Sequence, residues 1–170
     1  MAEEIATIVG DRAVTVDDLP KLKFTESIIL ESMRLYPPAW IIGRESVGSF
    51  EIKGYKFGPG TTVLIAPWVL HRDPRHFEEP DAFRPDRWMN GLARSLPRYA
   101  YMPFGGGPRI CIGQRFAMIE AVLILATIAQ RFSFTWQSDR PVTPFPSITL
   151  RPKGGVWVRL NERAGAKALH

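Results

Sequence analysis

The order of apolar and polar positions divides the chain into a helical front, a strand-rich middle, an irregular aromatic stretch, one long apolar helix and a strand-bearing tail. Residues 22–35 carry apolar side chains at helical spacing, and Thr15 followed by Asp18 reads as an N-cap with an acidic first turn. Pro37 and Pro38 end that helix, since a residue before proline is driven out of the α region. Residues 39–66 alternate short β-rich runs with Gly54, Gly58, Pro59 and Gly60, which predicts a small sheet of residues 40–42, 50–52 and 61–65. Residues 67–103 hold too many prolines for long elements and too many aromatics for disorder, so a packed meander is expected. Residues 113–130 form the strongest helical pattern, apolar on most sides apart from Arg115 and Glu120, and are expected to be mostly buried. In the tail, strands at 148–151 and 156–160 flank a turn at 152–155. The fold class is mainly α with small β-sheets, an α+β chain without repeat, low-complexity tract or interdomain linker.

Composition narrows the function classes. With 170 residues, 45% hydrophobic and 23% charged, the chain is one domain or part of one. The net charge of +5 comes from basic residues scattered through apolar sequence, so no nucleic-acid partner is expected. One cysteine excludes an internal disulfide, and with three histidines it falls short of the usual tetrahedral zinc patterns. The first twelve residues are acidic and short of apolar residues, unlike a secretory signal or membrane anchor. The apolar stretch at 121–129, interrupted by Thr127, is well below the ~20 residues that span a bilayer. Localisation stays open.

The lone cysteine stands in Phe104-Gly105-Gly106-Gly107-Pro108-Arg109-Ile110-Cys111-Ile112-Gly113. Three glycines let backbone approach a flat ligand, and Cys111 near a helix start gains thiolate character from free N–H groups and the helix dipole. Arg109 can pair with a carboxylate. On spacing alone, an inert buried thiol ahead of a helix is as good a reading. No C-x-x-C-H occurs, which excludes covalent c-type haem attachment.

The stretch 104–113 resembles the cysteine-loop signature of the cytochromes P450, F-x-x-G-x-R-x-C-x-G, with every defined position present. The resemblance implies haem b bound through an axial Cys111 thiolate, with Arg109, Phe104, Gly105, Gly107 and Gly113 in the cofactor-binding loop. Glu31 and Arg34, ahead of Leu35-Tyr36-Pro37-Pro38, resemble the family's E-x-x-R helix, and Phe83-Arg84-Pro85-Asp86-Arg87-Trp88 resembles the motif whose arginine, here Arg87, completes a structural ion triad. Taken alone, an exposed Glu31–Arg34 pair would contribute only ~0.2–0.5 kcal/mol. Arg44 aligns with a position that contacts a haem propionate. His71 and Arg72 resemble another family stretch and are read as packing and turn residues rather than ligands. By the same resemblance Ala39, Trp40, Ile41, Ile42, Ser147 and Ile148 face substrate, and their apolar character suits a hydrophobic small molecule.

The implied activity is monooxygenation, with electrons from a reductase or ferredoxin. Arg94, Arg98 and Arg115 are candidates for docking that acidic donor. The likeness runs from just before the E-x-x-R helix to the C-terminal hairpin, so residues 1–170 are expected to be a partial domain of a truncated or incompletely represented enzyme. The family's distal helix is not found among them, and no catalytic residue is identified. A non-catalytic remnant and a peroxide-using or rearranging haem-thiolate enzyme are the alternatives.

Overall fold

The computed structural model describes residues 1–137 and 139–163. Its N-terminus is a helix absent from the sequence-based assignment, α1 (Ala2–Ile8), which buries Ile5. The spacing of Ile5 and Val9 puts both on one helical face, and both enter the core. α1 also caps its neighbour α2 (Lys23–Leu35): the Glu4 carboxylate accepts the Phe24 and Thr25 amides at 2.7 and 2.9 Å, satisfying two otherwise orphaned N–H groups. Thr15 and Asp18 do not cap α2. The Thr15 amide donates to Asp18 Oδ2 at 2.9 Å and closes a separate 3-10 turn, Val16–Asp18.

After the prolines the expected three-stranded sheet resolves into two separate ladders. β1 (Ile42–Glu45) pairs antiparallel with β4 (Thr62–Ile65), in the register Ile42 to Ile65 and Arg44 to Val63. Between them, β2 (Phe50–Ile52) and β3 (Tyr55–Phe57) close a hairpin, with Phe50 stacked on Phe57 at 4.9 Å. The first strand therefore starts two residues later than expected, and β3 is new. A hairpin joined by the tight Lys53-Gly54 turn, with both residues at positive φ, pairs β2 locally and leaves β1 to find β4.

The meander holds two short helices, α3 (Pro67–Leu70) and α4 (Leu92–Ser95), and a 3-10 turn at Pro85–Trp88. Beyond it runs α5 (Gln114–Arg131), with Gly113 at its N-cap. Val122, Ala126 and Ala129 of α5 meet Ile5, Val9 and Leu22 in one core shared by α1, α2 and α5. The expectation that α5 is mostly buried fails: Phe116 is 70% and Ile124 52% exposed, so only one stripe of an all-round apolar helix is covered.

β5 (Phe132–Trp136) pairs with β8 (Val158–Glu162), while β6 (Thr143–Pro146) pairs with β7 (Leu150–Lys153). The tail hairpin thus turns at residues 147–149. The expected turn at 152–155 instead carries the chain from one ladder to the other through Gly154 and Gly155, both at positive φ. No helix of the described residues is long and apolar enough to cross a membrane.

Candidate functional site

Glu31 and Arg34 lie one turn apart on α2, and both side chains are fully buried. Arg34 donates through Nε and Nη2 to the two Glu31 oxygens, each at 2.9 Å. Arg87, on the 3-10 turn, donates to Glu31 Oε1 at 3.1 Å, so the three residues of the expected triad do meet. Sequence reasoning missed the remaining donors, the Arg84 amide and the Trp88 indole, each 2.8 Å from the carboxylate. Burial alone would raise the Glu31 carboxyl, but the hydrogen bonds from Arg34, the Arg84 amide and Trp88 outweigh it and hold the group below its usual range. The other guanidinium hydrogens of Arg34 go to the carbonyls of His71, Pro80 and Ala82.

From this cluster the meander leads to the cysteine loop. His71, fully buried, accepts the Met102 amide on Nε2 at 2.9 Å. Its Nδ1 has no hydrogen-bond partner among the described residues. Burial drives the ring well below the usual imidazole range, to about 4, so it is neutral at physiological pH. The loop turns at Gly105, whose amide donates to Met102 O at 3.0 Å, and is closed by the Cys111 amide on Phe104 O at 3.0 Å. Gly105 and Gly107 sit at φ 77° and 72°, which side chains rarely adopt. Gly106 has a different reason: a Cβ there would stand 2.6 Å from the Tyr99 ring.

Cys111 is exposed, as are Arg109, in the 3-10 turn Gly107–Arg109, and Arg44 on β1. The loop abuts β1, since a Cβ on Gly105 would reach Ile42 Cδ1 at 3.8 Å. Arg44 bonds only its neighbouring Gly43 carbonyl, and neither it nor Arg109 is ion-paired among the described residues. The two candidate substrate segments are brought together: Trp40 Nε1 donates to Ser147 O at 2.8 Å and the Leu150 amide to Pro38 O at 2.9 Å. Ala39, Trp40, Ile41 and Ile42 are half-buried, whereas Ile148 is 97% exposed.

The three arginines offered for docking are all exposed but do not share one element. Arg94 lies on α4 and Arg115 on the first turn of α5. Arg98 stacks over Tyr99 at 4.8 Å, and so stands beside the loop at Gly106. Arg115 also lines an open cavity of about 490 Å³ with Leu19, Glu26, Ile112 and Met118.

Comparison with known proteins fits this geometry. The sequence model of the cytochrome P450 family matches residues 1–159. The chain is 43% identical over 150 residues to cyclooctatin synthase of Streptomyces melanosporofaciens, covering 88% of this chain and 31% of that protein. It is 44% identical over 158 residues to a putative cytochrome P450 132 of Mycobacterium tuberculosis, covering 93% and 34%. To human cytochrome P450 4V2 it is 40% identical over 155 residues, covering 91% and 30%. The chain thus spans about a third of the length of the curated relatives it matches.

Proposed function

The chain belongs to the cytochrome P450 family, and on that premise we propose that it forms the cysteine-bearing part of a haem monooxygenase, with Cys111 as the iron ligand. The observation that carries this reading is an exposed thiol on side-chain-free backbone, with Arg109 two residues before it and Arg44 on the strand the loop abuts, neither ion-paired among the described residues. A flat, largely apolar group edged by carboxylates suits that arrangement. Gly107 leaves room for a plate, since a Cβ built there would meet nothing within 4 Å among the described residues. Arg109 and Arg44 would hold the propionates through charge-assisted hydrogen bonds.

Haem held by a thiolate supplies the chemistry of dioxygen activation, the thiolate favouring O–O cleavage. What this chain adds is position. The glycine turns and the Cys111–Phe104 bond fix the sulfur, and the buried Glu31 cluster anchors the meander that leads to it. The paired segments at Trp40 and Ser147 provide an apolar wall for a hydrophobic substrate, with electrons delivered by a reductase or ferredoxin.

The test is to titrate the chain and its Cys111→Ser variant with haemin, reduce them under carbon monoxide and compare the Soret bands. A red-shifted, thiolate-type band in the wild type and its loss in the variant are expected. Identical spectra from the two proteins would overturn the assignment.

A further inference from the structure

The cysteine loop is tied to the rest of the molecule by a side chain far from it in sequence. His71 has its backbone locked on both sides: its amide donates to Pro67 O at 2.9 Å, and its carbonyl accepts Arg34 Nη1 at 2.9 Å. Its Nε2 accepts the Met102 amide, the Met102 carbonyl accepts the Gly105 amide, and the Phe104 carbonyl accepts the Cys111 amide, at 2.9, 3.0 and 3.0 Å. The imidazole is thus the link through which the Glu31–Arg34 cluster reaches the peptide of Cys111. Nothing in the haem-thiolate reading requires a histidine at this place.

We propose that His71 is a positioning residue for Cys111, its neutral imidazole pinning the entry of the cysteine loop to the buried ion cluster and so setting where the thiolate sits. The proposal rests on the haem-thiolate reading for its consequence, but the contacts it is argued from all lie within this chain.

Three features suit the role. The residue has no exposed surface, so no water competes for the Met102 amide. The ring is flanked by Tyr101, with centroids 5.0 Å apart, and Tyr101 is held in turn by a 2.9 Å bond from its hydroxyl to Leu30 O on α2. Burial first, and then the positive charges of Arg34 and Arg72, oppose protonation of the ring, so the acceptor lone pair on Nε2 persists. Glu31, whose charge would do the reverse, is engaged by Arg34 itself.

Two variants separate positioning from packing: His71→Phe keeps a ring and removes the acceptor, whereas His71→Gln places an amide oxygen near the site of Nε2. In the haem-free chain, hydrogen exchange at the Met102 and Cys111 amides should rise on the order of tenfold in His71→Phe, the effect of leaving one buried N–H unpaired. Exchange at Val122 and Ala126 in the core should not change. In haem-loaded protein under carbon monoxide, His71→Phe should lose part of the thiolate-type band, and His71→Gln should restore both readouts. Unchanged exchange at Cys111 in His71→Phe would overturn the proposal.

A band abolished by Cys111→Ser yet unaffected by His71→Phe would refute positioning and leave the ligand assignment standing. A band indifferent to Cys111→Ser would refute the ligand, while the exchange data still decide the anchor. Should His71→Phe fail to fold, nitrogen-15 spectra of the wild type decide the matter. A neutral Nδ1–H tautomer coupled through Nε2 to the Met102 amide is expected, and an Nε2–H tautomer would overturn it.

Discussion

Replacing Glu31 by glutamine exchanges one buried oxygen for an NH2 group, with almost no change in volume. The carboxylate accepts five hydrogen bonds, from Arg34 Nε and Nη2, the Arg84 amide, Arg87 Nε and Trp88 Nε1. Three of them fall on Oε1 and two on Oε2, so either orientation of the amide sets donor against donor. The substitution also strips the charge that balances Arg34, a guanidinium with no exposed surface. Removing one partner of such a buried pair costs about 3–5 kcal/mol, a large share of the ~5–15 kcal/mol by which domains are stable. For a chain of this size the melting temperature should fall by roughly 6–20 °C.

Urea unfolding with an unchanged m-value is the cleanest assay. Lys23→Gln is the control: its pair with Glu26, at 3.6 Å and well exposed, is worth at most about 0.5 kcal/mol. Since the folded Glu31 carboxyl is held below its usual range, its stabilisation is present at neutral pH and is lost as pH falls through that depressed value. The gap between wild type and variant should therefore close in acid. A Glu31→Gln protein within ~1 kcal/mol of wild type at neutral pH would refute the account of this cluster.

His71 titrates at about 4 when folded, below the ~6.5 of a free imidazole, so the unfolded chain binds the extra proton between these values. Stability should be complete above pH ~6.5 and fall by roughly 3 kcal/mol as the pH drops toward 4, a slope that His71→Phe flattens and calorimetry can follow. Cys111 is exposed, so an aromatic disulfide reagent should modify one thiol per chain without denaturant; a thiol that reacts only after unfolding would contradict the loop geometry. Gly106→Ala should destabilise by about 1 kcal/mol by pushing on Tyr99, and this penalty should vanish in a Tyr99→Ala background. Gly107→Ala carries its strain in a φ of 72°, so its penalty should be the same in both backgrounds.

Much of the site was legible because its contacts are local or its residues sit in a recognisable motif. Glu31 and Arg34 share a helix face by spacing alone, and the run from Phe104 to Gly113 folds into one closed loop. The unread parts are those in which a side chain serves a backbone group far away. Glu4 caps α2 from twenty residues upstream, and no pattern within α2 announces a cap from another helix. Thr15 and Asp18 carried a genuine capping signal, but it was spent on the 3-10 turn between the two helices. Trp88 stood in the quoted motif without a role, and only the fold aims its indole N–H at Glu31. Of the four tail strands only β7 and β8 were read, and as partners of each other, since glycines at 154 and 155 look like a hairpin turn whether they reverse the chain or pass it between ladders; their true partners β5 and β6 were missed. α5 showed its apolar faces plainly, but periodicity cannot say how many of them a neighbour covers.

The hold of Arg34 and Glu31 on the meander has a consequence for how this region can vary in length. Arg34 grips the carbonyls of residues 71, 80 and 82, and Glu31 the amide of 84 and the side chains of 87 and 88. Residues 71–88 are therefore threaded at six points onto two side chains one helical turn apart. A single inserted or deleted residue shifts every later point off its donor or acceptor, with no slack to absorb it. Among the described residues, the β2–β3 hairpin tip is held by nothing comparable. In a library of one-residue insertions, folded clones should be frequent at 53–54 and rare throughout 71–88, making this stretch a ruler whose length is fixed even where its letters are free to change.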